Sequence, residues 1–147
     1  IKYGGNVFID RKIFDNFIID LGVLNKLGLQ VIDLDARHAV VSLTVGETMV
    51  NGHGFCHGGM IFTLADTCCA FASNSENESA LLSSAQIELL RPAHLGDELT
   101  ATATAVNQGR RKGIYDVRVV NQNGELIAVF RGQTQRLGES LVHISAA

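Results

Sequence analysis

One carboxylate stands alone in the most apolar stretch of this chain. Between Gly58 and Ser75, Asp66 is the only side chain that carries a formal charge. The residues from 57 to 73 are apolar on nearly every side of a helix, a pattern that predicts a central, buried helix. Because burying an unpaired charge costs roughly several kcal/mol, a segment that only filled a core would carry Leu or Ala here. Asp66 is therefore a candidate functional acid; the alternative is a structural acid that caps or pairs between subunits.

A glycine-rich turn leads directly into this predicted helix. It reads Asn-Gly-His-Gly-Phe-Cys-His-Gly-Gly over residues 51–59. The first N–H groups of a helix have no partner within the helix, and together with the helix dipole they stabilise an oxyanion. Gly58 and Gly59 lack Cβ atoms, which permits a tight turn and equally lets a substrate carbonyl approach the backbone. A buried acid with an anion-binding helix end indicates acyl-transfer chemistry.

The rest of the chain predicts an antiparallel α+β fold. Two strands joined by a hairpin precede the helix, and four long strands follow it in a meander, with a loop over residues 46–56 and one or two short helices in residues 10–27. The predicted strands span residues 29–35, 39–45, 85–91, 99–106, 114–121 and 126–135. No helix separates the later strands, which argues against a doubly wound fold. One antiparallel sheet must then cover the buried helix, and its free edges and outer face indicate oligomerisation.

Composition narrows the class of protein. The chain has 147 residues, a net charge of −3 and no Lys/Arg-rich tail, so nothing favours nucleic-acid binding. We expect neither a membrane span nor a signal peptide, because no apolar stretch has the required length and flanks. Three cysteines form no paired framework, which favours a reducing cytoplasm. We expect a single domain over residues 1–147, with a helical N-terminal segment over residues 1–27.

The motif around the predicted helix resembles that of a known family. His57-Gly58-Gly59 followed by Leu64-Ala65-Asp66 resembles the hotdog-fold thioesterases, and Asn51-Gly52-His53 narrows the resemblance to the phenylacetate-degradation (PaaI) type. The resemblance covers residues 20–138 and continues in Leu90-Arg91-Pro92, Gly96-Asp97, Tyr115-Asp116-Val117, Asn121-Gln122 and Phe130-Arg131-Gly132. It implies a hotdog fold, an antiparallel sheet around a long central helix, and hydrolysis of acyl-CoA thioesters, with aryl-acetyl groups expected. It also implies a homotetramer with active sites shared across a dimer interface, and no metal or other cofactor.

Each site residue has a role implied by this resemblance. Carried over by position, Gly58 donates its N–H to the oxyanion, and Asn51 lies beside the thioester carbonyl or the attacking water. Asp66 is the general base or the nucleophile, and it reaches in from the other subunit. Ser83, which has a second serine beside it, falls where some relatives place a hydroxyl that holds the water. His57 begins the helix, where a packing or hydrogen-bonding role is the alternative to catalysis, and Asn51 in an Asn-Gly pair is also typical of a turn.

Positively charged residues supply candidate contacts to the polyanionic CoA. Arg110, Arg111 and Lys112 occupy a predicted turn, and Arg91 precedes Pro92. These side chains either bind the CoA phosphates or form a solvated turn and a charged strand edge.

Other chemistries fit the sequence less well. No base is placed to activate a cysteine nucleophile, and the glycines of the turn miss the dinucleotide-binding spacing. A zinc site is not favoured, because the ligand spacing does not match the usual thiolate pairs; the candidates are Cys56, Cys68, Cys69, His53 and His57. The remaining alternatives are a hotdog enoyl-CoA hydratase or dehydratase, which needs an acid–base pair, and a non-catalytic acyl-CoA-binding module, which does not need Asp66.

Overall fold

A long helix packs across one face of an antiparallel sheet. The computed structural model describes residues 2–3, 7–8 and 22–141. Its elements in chain order are β1 (Lys2–Tyr3), β2 (Val7–Phe8), α1 (Gly22–Leu27), β3 (Gln30–Asp35), β4 (His38–Thr44), a 3-10 turn (Glu47–Met49), α2 (Gly58–Ser73), β5 (Glu78–Leu89), β6 (Glu98–Gln108), β7 (Lys112–Val120) and β8 (Leu126–Ser140). The predicted α+β hotdog architecture is confirmed.

The order of strands in the main sheet is β3-β4-β6-β7-β8-β5, and every neighbouring pair is antiparallel. The predicted meander is therefore wrong for β5, which pairs with β8 and not with β6. Residues 90–97 separate β5 from β6 and include Pro92, and this connection is too long for a tight hairpin. The strand can therefore cross to the far side of the sheet, where it forms an edge.

Most predicted strand positions are confirmed, with different ends. The strand predicted over residues 85–91 begins at Glu78, and the hairpin between β3 and β4 turns through Ala36-Arg37, with His38 already in β4. The predicted loop over residues 46–56 contains the 3-10 turn. Arg37 has a positive φ of 57° in that hairpin. The alternation of polar and apolar residues does not predict this backbone conformation.

The core lies between α2 and the inner face of the sheet. Alternate residues of the central strands are buried there, including Ala39, Val41, Leu43, Leu99, Ala101, Ala103, Tyr115, Val117, Val119, Ala128 and Phe130. The alanines let the helix approach closely. The Cys68 thiol donates to the carbonyl oxygens of Ala39 at 3.3 Å and Ala101 at 3.4 Å. Burial raises the pKa of Cys68 to about 12 and that of Cys69 to about 12, so both thiols stay protonated and serve as packing residues.

The N-terminal prediction is only partly met. Helix α1 ends at Leu27, and Gly28 with a φ of 69° follows it, as expected for a glycine that terminates a helix. Residues 2–3 and 7–8 pair as short strands, so the helical prediction for residues 1–27 is wrong there. The helix predicted in residues 10–21 lies outside the described residues.

Within the described part of the chain, none of the helices combines the length and the apolar character needed to cross a bilayer.

Candidate active site

At the N-terminus of α2, a side chain caps one backbone amide, and the amide before it has no hydrogen-bond partner in the part of the chain that the structure describes. His57 is the N-cap residue, and its Nδ1 accepts a hydrogen bond from the Gly59 N–H at 3.1 Å. The N–H groups of Met60 and Ile61 donate to the His57 carbonyl oxygen. Within the described ranges, the Gly58 N–H has no acceptor. One unpaired donor therefore remains at the positive end of the helix dipole.

The backbone around this donor is held by the loop before it. The His57 N–H donates to the Met49 carbonyl oxygen at 2.7 Å, and the Cys56 N–H donates to the Ala93 carbonyl oxygen at 2.7 Å. The Phe55 ring meets the His94 ring edge-on, with centroids 5.2 Å apart. These contacts fix the position of the free amide, which favours a preorganised oxyanion site.

Asn51 organises the turn that precedes the helix. Its Oδ1 accepts hydrogen bonds from the N–H groups of His53 at 3.0 Å and Phe55 at 3.2 Å. Its backbone N–H also donates to the Phe55 carbonyl oxygen at 2.7 Å. The side-chain oxygen is thus used within the loop, while the residue itself is exposed. Any contact of Asn51 with a substrate is left to its amide nitrogen, which is a donor.

Asp66 lies at the middle of α2 and is half-buried. Among the described residues, no side chain or backbone group forms a hydrogen bond or ion pair with its carboxylate. Burial raises the pKa of Asp66 above its ordinary value, because loss of solvent disfavours the charged form. An unpaired carboxylate of raised pKa is better able to take a proton from water.

Gly58, Phe62 and Asp66 recur at four-residue spacing and so lie along one side of α2. Phe62 packs edge-on against Phe130 of β8, with ring centroids 5.5 Å apart. This side of the helix therefore faces the β8–β5 half of the sheet. The Gly58 amide and the Asp66 carboxylate are separated along this side of the helix by about two turns.

Ser83 is the extra residue of a bulge in β5, because Leu82 pairs with Thr134 and Ser84 with Gln133. Its hydroxyl donates to the Gln133 carbonyl oxygen at 3.0 Å. The hydroxyl thus contacts the β8 backbone at the bulge, and its implied role toward water stays a prediction.

The four candidate cations lie in two different places. Arg91 donates from its guanidinium to the Leu126 carbonyl oxygen at 3.0 Å, where β5 ends and β8 begins. Arg110 and Arg111 lie between β6 and β7, and Lys112 begins β7; all three are exposed and are hereafter called the basic turn. Lys112 pairs with Gln135, and Gln135 pairs with Leu81 near the start of β5. The basic turn therefore lies at the opposite end of the sheet from Leu89, where β5 ends.

The structure adds one residue that the sequence analysis missed. A Cβ atom on Gly58 would lie 2.8 Å from Leu89 Cδ1, so the Leu89 side chain lies directly beside the free amide. No local pattern identifies it, because Leu89 reaches Gly58 only through the pairing of β5 with β8. Among the residues the structure describes, no three His, Cys, Asp or Glu side chains gather closely enough to hold a metal ion.

Comparisons with known proteins agree with this architecture. The chain matches the model of the thioesterase superfamily over residues 53–128. It is 46% identical over 115 residues to the acyl-coenzyme A thioesterase PaaI of Escherichia coli (strain K12), covering 78% of this chain and 82% of that protein. The solved structure of the E. coli PaaI protein from the phenylacetic acid degradation operon matches with a TM-score of 0.83 and 42% identity, covering 88% of this chain and 91% of that one. The structure of smu.793 from Streptococcus mutans UA159 bound to acetyl CoA matches with a TM-score of 0.74 and 29% identity, covering 76% and 90%.

The match covers the glycine-rich turn from residue 53, the whole of α2 and most of the sheet. It therefore includes the free Gly58 amide and the Asp66 carboxylate. The chain belongs to the thioesterase superfamily.

Proposed function

We propose that this protein hydrolyses acyl-CoA thioesters to the free acid and CoA, with the Gly58 N–H as the oxyanion donor and Asp66 as the general base or the nucleophile. The observation that carries the proposal is the unpaired, half-buried Asp66 carboxylate on the helix that begins at a free amide. A similar protein, the E. coli PaaI protein, is an acyl-coenzyme A thioesterase, and another relative has been solved with acetyl CoA.

The Gly58 N–H polarises the thioester carbonyl and stabilises the negative charge that develops on its oxygen. In the general-base route, Asp66 takes a proton from water as the water oxygen bonds to the carbonyl carbon. The C–S bond then breaks, and the CoA thiolate leaves. In the nucleophilic route, an Asp66 oxygen bonds to the carbonyl carbon, and the C–S bond breaks as the CoA thiolate leaves. Water then hydrolyses the resulting anhydride, which releases the free acid and returns the Asp66 carboxylate. Both routes need an ionised Asp66.

Two subunits supply one active site in this proposal. Asp66 follows Gly58 by eight residues on the same helix, a rise of about 12 Å. A base must come within roughly 3 Å of the proton that it removes, directly or through one water. A substrate carbonyl held at the Gly58 amide is therefore served better by the Asp66 of a second copy.

The exposed edge of the sheet offers the surface for that second copy. β5 has 12 residues and, in the part of the chain that the structure describes, pairs with one strand, β8. Most of its residues from 81 to 89 are exposed in the single chain, including Leu81 at 61% and Leu89 at 51%. Because a long, apolar, unpaired strand pairs readily with another strand, we place the dimer interface along β5. Two such dimers form the proposed homotetramer.

The basic turn is the proposed contact for the CoA phosphates. Leu81, in register with the basic turn, and Leu89, beside Gly58, are separated by eight residues of β5. At about 3.3 Å per residue this is roughly 26 Å. Antiparallel pairing of two copies along β5 brings the start of one strand beside the end of the other. The basic turn of one subunit then serves the site that contains the partner's Gly58. Arg91, which lies near the end of β5, is a second candidate contact.

Aryl-acetyl groups are the proposed acyl groups, and phenylacetate degradation in the cytoplasm is the proposed setting. The E. coli PaaI structure is of a protein from the phenylacetic acid degradation operon. The free thiols of Cys56, Cys68 and Cys69 suit a reducing compartment. We propose no metal or cofactor, and the subunit is a single domain.

The test is release of free CoA thiol from a panel of aryl- and alkyl-CoA thioesters. Asp66→Asn should lower kcat by about 10²-fold or more, as expected for loss of a general base or nucleophile. Asp33→Asn changes an exposed carboxylate on β3 and serves as the matched control. Hydration of an enoyl-CoA is measured in parallel. Hydration without thiol release would favour the hydratase alternative, and binding without either reaction would favour a binding module.

A further inference from the structure

Leu89 lies on the face of β5 that looks toward α2. In the register of β5 and β8, Ile87 pairs with Phe130 and Leu89 pairs with Ala128. Phe130 and Ala128 are both buried in the core beneath the helix. Paired residues project to the same face of an antiparallel sheet. Leu89 and Ile87 therefore form an apolar strip opposite the helix.

The end of this strip reaches the free amide of α2. A Cβ on Gly58 would lie 2.8 Å from Leu89 Cδ1, so in the protein the leucine methyl occupies the space that a side chain would otherwise take. In a helix the Cβ direction tilts toward the N-terminus, which is also where the Gly58 N–H points. One side of Leu89 covers Gly58, and 51% of the residue is exposed in the single chain, at the end of the strand that we place in the dimer interface. An apolar residue half open beside an unpaired donor is placed to contact what the donor binds.

We propose that Leu89 forms the wall of the acyl-group pocket and sets the size of acyl group that the site accepts. The inference rests on the proposed function. A thioester oxygen that accepts from the Gly58 N–H lies about 2.9 Å from that nitrogen, and the acyl carbon chain is bonded to the same carbonyl carbon. The methyl groups of Leu89 are then within van der Waals reach of the acyl chain.

The chemistry of the strip assigns it to the acyl group and not to the pantetheine arm of CoA. Leu89 and Ile87 continue toward Phe62 of α2, which packs on Phe130 at 5.5 Å. This surface offers carbon atoms and an aromatic edge, which suit an alkyl or aryl group. The amide groups of pantetheine need hydrogen-bond partners or water, and apolar side chains supply neither.

The test uses two substitutions of opposite size at Leu89. Leu89→Ala should raise, and Leu89→Phe should lower, the ratio of kcat/KM for a bulky thioester (naphthylacetyl-CoA) to that for acetyl-CoA. Each shift should be about tenfold or more, the range for adding or removing carbon atoms in an apolar pocket. Ile32→Ala is the control, because Ile32 is an exposed aliphatic residue on β3, at the opposite edge of the sheet from the proposed interface. Its ratio should stay within about twofold of wild type.

A purely structural role of Leu89 predicts a different pattern. It would lower kcat/KM for all thioesters in parallel in both Leu89 variants, or Ile32→Ala would shift the substrate ratio as much as they do. Either result overturns the proposal. Opposite shifts of the ratio in the two Leu89 variants, with an unchanged control, support it.

A binding measurement separates this proposal from the proposed function. Ketone analogues of the two substrates, with a methylene group between sulfur and carbonyl, keep the carbonyl oxygen and the acyl group but cannot be hydrolysed. The ratio of their Kd values should shift in opposite directions in Leu89→Ala and Leu89→Phe. If wild type cleaved no thioester, the proposed function would fail while these ratios still decided the role of Leu89.

Discussion

The Nδ1 atom of His57 accepts a hydrogen bond from the Gly59 N–H at 3.1 Å, and the neighbouring Gly58 N–H is left without a partner among the described residues. The histidine thus selects which amide of α2 is available to a substrate. In the proposed function, His57 has a positioning role and the Gly58 N–H contacts the oxyanion.

The cap role of His57 can be separated from a catalytic role. His57→Ala should lower the free energy of unfolding by about 0.5–2 kcal/mol through loss of the N-cap bond. His57→Asn should restore most of it, because Asn caps helices well and His57 already has extended φ and ψ of −61° and 132°. Urea unfolding and kcat are measured for both. Full stability of His57→Asn with a kcat reduced about 10²-fold would instead make the imidazole a catalytic group.

Replacing Gly58 by proline tests the amide donor directly. Proline is favoured at the first position of a helix, and the extended backbone of the preceding His57 is compatible with it. Gly58→Pro should therefore fold, yet lower kcat by about 10²- to 10³-fold through loss of the N–H. Gly58→Ala is the control, because it adds the same Cβ beside Leu89 and keeps the N–H. If kcat fell equally in Gly58→Pro and Gly58→Ala, crowding of Leu89 and not loss of the N–H would explain the effect.

In the proposed mechanism, the raised pKa of Asp66 sets the pH dependence of activity. Because burial raises this pKa above the ordinary value of 3.8, and the reaction needs the ionised carboxylate, kcat/KM should fall as pH decreases through the raised pKa. The acid limb of the pH profile should therefore lie above the range of an exposed aspartate. If the acid limb of the kcat/KM profile had its midpoint at or below pH 3.8, a desolvated Asp66 would be contradicted.

The same shift has an opposite consequence for stability. The folded protein binds the Asp66 proton more tightly than the unfolded chain, so stability decreases as pH rises from 3.8 through the raised pKa. Asp66→Asn does not lose stability in this way as pH rises, because its side chain does not ionise. Its Tm should exceed that of wild type at neutral pH, and the difference should vanish below the ordinary carboxyl pKa. Thermal melts across pH decide this, and a Tm below wild type at neutral pH would reveal an ionised Asp66 with a stabilising partner.

Mixing two inactive variants tests the shared site. If Gly58 and Asp66 of one site come from different chains, a hybrid dimer of Gly58→Pro and Asp66→Asn contains one intact site and one doubly altered site. Random mixing should then restore about a quarter of wild-type activity, since hybrids are about half of the dimers. Co-expression with two affinity tags isolates the hybrids. Fully inactive hybrids of correct mass would place both groups of each site in one chain.

Neutralising the basic turn tests the phosphate contact. Changing Arg110, Arg111 and Lys112 to Gln should raise KM for an acyl-CoA far more than it lowers kcat, the signature of lost uniform binding. The effect should shrink with added salt and be small for a thioester that lacks the nucleotide. Arg118→Gln, an exposed arginine on β7, is the control. Equal changes in KM for full-length and truncated thioesters would identify a solvated turn.

Much of the secondary structure follows from patterns of neighbouring residues. The apolar run with a single acid predicted α2 and its N-terminus, and α2 begins at Gly58 with His57 as the cap. Alternating β-branched residues predicted β4 and the later strands, and Asn121–Gly124 predicted the turn between β7 and β8. These features depend on neighbours within a few residues, and such neighbours are visible in a linear sequence.

Tertiary structure alone decided the rest. The pairing of β5 with β8, the bulge at Ser83 and the contact of Leu89 with Gly58 join residues that are far apart in the chain. Likewise, the sequence placed the basic turn without saying that it lies at the opposite end of the sheet from Gly58. Strand order depends on how α2 and the connection over residues 90–97 pack, and many pairings satisfy the same alternation of side chains. The sequence by itself therefore determined the acid, the amide and the elements that carry them, whereas only the packed sheet decided which side chains surround them.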